Sequence, residues 1–136
     1  MAARTDALAF VEAINRRDLD ALAGLMSDDH TLLVFDEAPL VGKNANIAAW
    51  RGYFDSFPQY RIYVDDASEC EGCVALLGRT TGSHLGLPDQ DERNLTLIWI
   101  AETQIGGVAR WQLVEDSGDN RARWGLGPGG RERGAP

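Results

Sequence analysis

Hydrophobic positions at the start of the chain recur with a helical period. Leu8, Val11 and Ile14, with Glu12 between them, follow Thr5 or Asp6 as a cap, which predicts a first helix. Asn15 to Asp18 break that pattern, and Asp18 caps a short second helix, Leu19 to Met26, with Leu22, Leu25 and Met26 inward. Ser27-Asp28-Asp29 ends it. Thr31 to Phe35 is apolar and β-branched, which predicts a strand. Glu37 to Gly42, with Pro39, reads as a loop. Lys43-Asn44 opens a third helix that runs to about Ser56, with Ile47, Trp50, Tyr53 and Phe54 on one face, until Phe57-Pro58 closes it.

Beyond Pro58 the period changes to two. Tyr60 to Glu69 alternates as a strand, and Glu71-Gly72 is read as a hairpin tip. Cys73 to His84 is the next strand, with Val74, Leu76, Gly78, Thr80, Gly82 and His84 on one face. Two glycines and a threonine there predict an open trough that ends in an imidazole. Pro88 to Glu92 is a polar turn, Leu95 to Gln104 an apolar strand, and Val108 to Asp116 a last strand after Gly106-Gly107. Helices followed by a run of strands predict an α+β fold: a curved antiparallel or mixed sheet wrapped around three N-terminal helices, leaving a cone with an open mouth. Residues 1–116 form the expected single domain. Residues 117–136 are a Gly- and Arg-rich tail, expected to be mobile with its start anchored by Trp124 and Leu126.

Composition narrows the function classes. A chain of 136 residues, 44% hydrophobic and 25% charged, is an ordinary globular domain. A net charge of −8 argues against nucleic acid or an anionic membrane as partner. The polar start and the lack of a long apolar run predict a cytoplasmic protein. Lys43 is the only lysine among many arginines, which points to a GC-rich bacterial genome. Cys70 and Cys73 form a lone CxxC facing across the hairpin, read as structural rather than redox or metal-binding. No P-loop, GxGxxG, GxSxG or HExxH is present, so neither a cofactor nor a metal is expected.

Four passages carry a resemblance. These are "FVEAINRRDLDALAGLMSDDH" from Phe10, "WRGYFDSFPQYRI" from Trp50, "TGSHLGLP" from Thr81 and "IGGVARWQLVED" from Ile105. Together they resemble the SnoaL-like proteins of the nuclear transport factor 2-like superfamily, a group of cone-shaped α+β barrels that are often dimeric. The resemblance implies a cofactor-independent cyclase or isomerase acting on a hydrophobic, carbonyl-bearing polyketide- or steroid-like molecule. His84 stands at the histidine of the cyclases' GTHxG passage, while Trp99 stands where those enzymes carry an aspartate. Thr80, Gly82 and Leu113 stand at positions of the Asp-Arg-Asp arrangement of the related epoxide hydrolases, so that chemistry is not expected.

The candidate site follows from these elements. His84 is the expected acid-base group, Asp36 its positioning carboxylate, and Tyr53 or Tyr63 the donor to a developing oxyanion. Val34, Trp50, Phe54, Thr80, Leu97, Trp99, Trp111 and Leu113 are the expected substrate wall, joined by Leu32 and Leu95. His30 is read as capping a helix end, Arg110 as outward-facing, and Asp89, Asp91 and Glu92 as a solvated turn. Two function classes stay open: an enzyme using this pocket, cyclase, isomerase, lyase or hydrolase, and a non-catalytic binding or assembly domain.

Overall fold

The computed structural model describes residues 2–70 and 72–127. Helix α1 spans Ala2–Asn15 and α2 spans Leu19–Leu25, capped by Asp18, whose carboxylate accepts from the Ala21 amide at 3.0 Å. Strand β1 (Met26–Val34) follows directly, then a short β2 (Leu40–Val41) and helix α3 (Lys43–Ser56). Strands β3 (Arg61–Cys70) and β4 (Cys73–Thr81) form a hairpin in which Cys70 pairs with Cys73. The expected tip residue Glu71 lies outside the described residues; Gly72 has φ +71°. A one-turn helix α4 (Asp89–Glu92), strands β5 (Leu97–Gln104) and β6 (Gly107–Glu115), and helix α5 (Gly118–Arg123) complete the order.

Among the described residues the strands form one curved, unclosed sheet in the order β2-β1-β6-β5-β4-β3. β3 to β6 are antiparallel neighbours, whereas β1 lies parallel to β6, so the sheet is mixed. The α+β expectation holds. Its inner face buries Val74, Leu76, Trp99, Ala101, Val108 and Trp111 against Ala7, Phe10 and Ile14 of α1, Leu22 of α2 and Trp50 and Phe54 of α3. Asn15 ties the end of α1 to β3: its amide donates to the Ile62 carbonyl at 2.9 Å and its oxygen accepts the Ile62 N–H at 2.8 Å. No helix among the described residues is long and apolar enough to cross a membrane.

Helix α1 begins at Ala2, ahead of the expected Thr5 or Asp6 cap, β5 begins at Leu97 and not Leu95, and β2 lies in the expected Glu37–Gly42 loop; four further departures have local reasons. Strand β1 begins at Met26, not Thr31, because Ser27 to His30 lie beside the start of β6 instead of ending α2. Strand β4 stops at Thr81, because Gly82 turns the chain with φ +71°. His84 therefore sits in a loop and not on a strand. The expected trough does not exist. A side chain at Gly78 would collide with the Tyr63 carbonyl and meet the Trp99 ring at 3.2 Å, and one at Gly82 would meet the Gln59 carbonyl at 2.5 Å. Both glycines serve close packing. Finally, the expected tail opens with a helix, α5, capped by Ser117, while the expected anchors Trp124 and Leu126 do pack, on Ala75, Leu77, Ile98 and Ile100 of the sheet's outer face. The rest of the expected tail, residues 128–136, lies outside the described residues.

Candidate functional site

A cavity of about 180 Å³ opens between α3 and the inner face of the sheet. Leu32 and Val34 reach it because alternate residues of β1 share a face, and they pair in register with Trp111 and Leu113 of β6. Trp99 enters from β5 opposite Leu113. Ala49, Trp50 and Tyr53 come from one side of α3, and Tyr60 and His84 complete the lining. Trp50 meets Tyr53 edge-on at 6.2 Å, and Tyr53 meets Tyr60 edge-on at 4.9 Å. Such a lining suits a planar apolar ligand with a few polar groups.

The polar groups gather at the mouth. His84 is exposed, yet its Nδ1 lies 2.9 Å from the Tyr53 hydroxyl, and its own backbone N–H donates to that oxygen at 3.2 Å. Burial raises the pKa of Tyr53 above the usual phenol value, partly offset by the His84 amide; burial raises that of Tyr60 further. Both phenols are therefore held protonated.

The loop that carries His84 is held from behind. Glu92 of α4 is 1% exposed and accepts from the Thr80 hydroxyl and from the Ser83 N–H at 3.3 Å. A carboxylate read as solvated is thus a buried anchor. Thr80 points at this carboxylate and does not line the cavity.

The other expected site residues divide. Val34, Trp50, Tyr53, His84, Trp99, Trp111 and Leu113 come together around the cavity. Asp36 does not: it lies in an exposed turn after β1 and bonds nothing in the site. Tyr63 bonds the Thr81 hydroxyl at 3.2 Å, in a separate surface groove with Arg61 and Asp89. Phe54 is buried in the core, Leu97 packs at its edge, and Leu95 is exposed. Sequence reasoning passed over Tyr60, whose place at the head of an alternating strand was the available signal. His30 is no helix cap. It is fully buried in β1, stacks on Phe10 at 5.5 Å, and its Nδ1 lies 2.7 Å from the Val108 carbonyl. Arg110 is half-buried and paired with Glu102. Among the described residues no three His, Cys, Asp or Glu side chains gather as a metal site.

Comparison with known proteins decides the family: the SnoaL-like domain matches residues 7–113. The chain belongs to the SnoaL-like family. No curated protein gives a significant match. Among solved structures it is similar to a cystatin-fold protein of Novosphingobium aromaticivorans, at 19% identity and TM-score 0.72, covering 85% of this chain and 99% of that one. A putative polyketide cyclase of Sinorhizobium meliloti is 20% identical with TM-score 0.66, covering 80% and 93%. An LEH-like epoxide hydrolase of M. tuberculosis is 14% identical with TM-score 0.65, covering 84% and 78%. At these identities the neighbours share the SnoaL-like fold. Their chemistries differ from one another, so activity must be argued from the site.

Proposed function

We propose that this SnoaL-like protein is a cofactor-independent enzyme of the cyclase or isomerase kind that moves a proton next to a carbonyl group. The observation that carries the reading is the His84–Tyr53 hydrogen bond at the mouth of an aromatic cavity. With Nδ1–H donating to the Tyr53 oxygen, His84 Nε2 presents a lone pair to the ligand. Nε2 takes a proton from the carbon beside the carbonyl, and the C–H electrons become the enolate double bond while charge moves to oxygen. Tyr60, a protonated phenol in the cavity wall, donates to that oxygen. Return of the proton at another carbon gives an isomer, and attack of the enolate on a second carbonyl closes a ring. Tyr53 steadies the imidazolium throughout.

The cavity's size supports a small substrate. An engineered cavity of about 150 Å³ holds one benzene, and this one is about 180 Å³. A whole steroid or fused polyketide exceeds it. The substrate is then a one-ring carbonyl compound, or one ring of a longer molecule that projects through the mouth.

The test is proton exchange. Small aromatic ketones in D2O should exchange their α-protons faster with the protein, and His84→Ala should reduce that rate by about 10²–10⁴-fold while affinity largely survives. Equal exchange rates in the two proteins would sink the reading. One observation favours a rival binding role: with Trp99 at the cyclases' acid position and Asp36 in an exposed turn, no carboxylate among the described residues bonds His84. In a binder, His84→Ala changes affinity alone.

A further inference from the structure

Helix α1 closes on a residue whose backbone suits glycine. Arg17 has φ +55°. Its N–H bonds the Ile14 carbonyl at 2.9 Å, and the Asp18 N–H bonds the Ala13 carbonyl at 3.0 Å. That pair of bonds ends a helix through a left-handed residue, usually glycine, because a Cβ there crowds the backbone. An arginine carries strain that glycine would avoid, and its side chain makes a contact that glycine would lose.

That contact is with the cavity wall. Arg17 Nη1 donates to the carbonyl of Tyr60 at 2.9 Å, 43 residues further along the chain. Its neighbour Arg16 instead stays beside Glu12 at 3.8 Å and Asp18 at 3.5 Å. Tyr60 lies outside helix and strand, between Phe57 at the end of α3 and Arg61 at the start of β3. Its main chain is held on both sides: the carbonyl accepts from Arg17, and the N–H donates to the Phe57 carbonyl at 3.1 Å. Asn15, also at the end of α1, grips Ile62 just beyond. The end of α1 therefore fixes the backbone from which the Tyr60 ring enters the cavity, edge-on to Tyr53. A tilt of that backbone moves the phenol oxygen furthest, because it lies at the far end of a rigid side chain.

We propose that Arg17 is a positioning residue for Tyr60: by pinning the Tyr60 carbonyl it aims the phenol hydroxyl at the carbonyl oxygen of the ligand. Arg17 lies outside the cavity lining and acts only through Tyr60. The proposal rests on the reading of Tyr60 as donor to a ligand carbonyl.

The probe is acetophenone labelled with carbon-13 at its carbonyl, followed by infrared spectroscopy and by exchange of its α-protons in D2O. A hydrogen bond lowers the carbonyl stretching frequency, so Tyr60→Phe should raise it. Arg17→Gly should move it toward the Tyr60→Phe value. Exchange should slow by at least about tenfold, within the order of 10²-fold that a misplacement of about 1 Å costs, while affinity changes by less than about threefold. Arg17→Lys should keep most of the wild-type rate, since a single bond to a carbonyl does not need the guanidinium fork. On the Tyr60→Phe background, Arg17→Gly should change neither readout further. Asp18→Ala removes the α2 cap without touching Tyr60; it should lower the melting temperature and leave exchange alone. Carbon NMR of ring-labelled tyrosine reads the same displacement with no ligand present. The chain has three tyrosines, and in Arg17→Gly the Tyr60 signal, assigned with Tyr60→Phe, should shift while that of Tyr63 stays put.

An unmoved Tyr60 signal, a wild-type stretch and rate in Arg17→Gly, or a loss that persists in full without the Tyr60 hydroxyl overturns the proposal. So does equal slowing in Asp18→Ala. Failure of the underlying reading looks different. If Tyr60→Phe itself leaves the stretch unchanged, Tyr60 is not the donor and both ideas fall. If the wild type lowers the stretch but exchanges no protons, catalysis is removed and Arg17 still aims a binding contact.

Discussion

The Tyr53 hydroxyl holds His84 twice, at 2.9 Å from the ring nitrogen Nδ1 and at 3.2 Å from the backbone N–H of the same residue. One side chain thus sets both the loop's path and the direction of the imidazole. Tyr53 can do this because its ring is wedged between Trp50, Phe57 and Tyr60. Precision at the mouth comes from packing in the wall.

Removing that hydroxyl should therefore damage turnover more than binding. In Tyr53→Phe the rings stay packed, but the hydrogen bond that orients the His84 imidazole is lost. A misplacement of about 1 Å costs on the order of 10²-fold in rate, and exchange of ketone α-protons should fall by that order. Ligand affinity should change by less than about threefold, since uniform binding is untouched. An affinity loss as large as the rate loss would mean that Tyr53 contacts the ligand itself.

Glu92 should act on stability and rate together. Its carboxylate answers the Thr80 hydroxyl and the Ser83 amide in a buried position. Glu92→Ala leaves both donors unsatisfied, at about 1–3 kcal/mol for each buried group, read from the urea midpoint. A double-mutant cycle with Thr80→Val should give a coupling of about 0.5–3 kcal/mol. Additive effects would show that the two side chains do not depend on each other.

Acid should weaken the fold in two windows. His30 is held neutral by burial, so its pKa is depressed in the folded state. As pH falls below the unfolded value of about 6.5, the unfolded chain takes up a proton that the folded one refuses, and stability drops. Asp116 is also depressed, chiefly by its hydrogen bonds to Arg121 at 2.6 and 2.8 Å and also by the Thr96 hydroxyl, against burial. Its contribution is complete above the unfolded value of about 3.9 and is lost as pH falls through the lower folded value. Melting temperatures should hold near neutrality and decline in two stages. Asp116→Asn should be less stable at pH 7 and should lose part of the lower stage, and an unchanged lower stage would remove Asp116 from the account.

Legibility in the sequence followed the range of the forces. Helix α3 was readable end to end, because Ile47, Trp50 and Phe54 mark its buried stripe and Phe57-Pro58 its stop. The cavity's aromatic wall was readable for the same reason, since Trp99, Trp111 and Leu113 fall on one face of alternating strands. What failed depended on backbone turns and distant partners. Alternation carried the Cys73 strand on to His84, but the positive φ of Gly82 had already ended it. Glu92 looked solvated among Asp89 and Asp91 because its partner, Thr80, lies on another element. His30 followed two aspartates like a helix end. Only the parallel pairing of β1 with β6, invisible locally, shows it to be a core residue. Asp36 was two residues too late to stay on the inward face.

The segment after Asp116 changes how this molecule can meet another copy of itself. Trp124 and Leu126 roof the apolar strip of Ala75, Leu77, Ile98 and Ile100, and the Asp116–Arg121 clasp pins that roof at its hinge. Two subunits could join through this part of the sheet only by lifting the cover first. Any self-association that leaves the cover closed must use other ground.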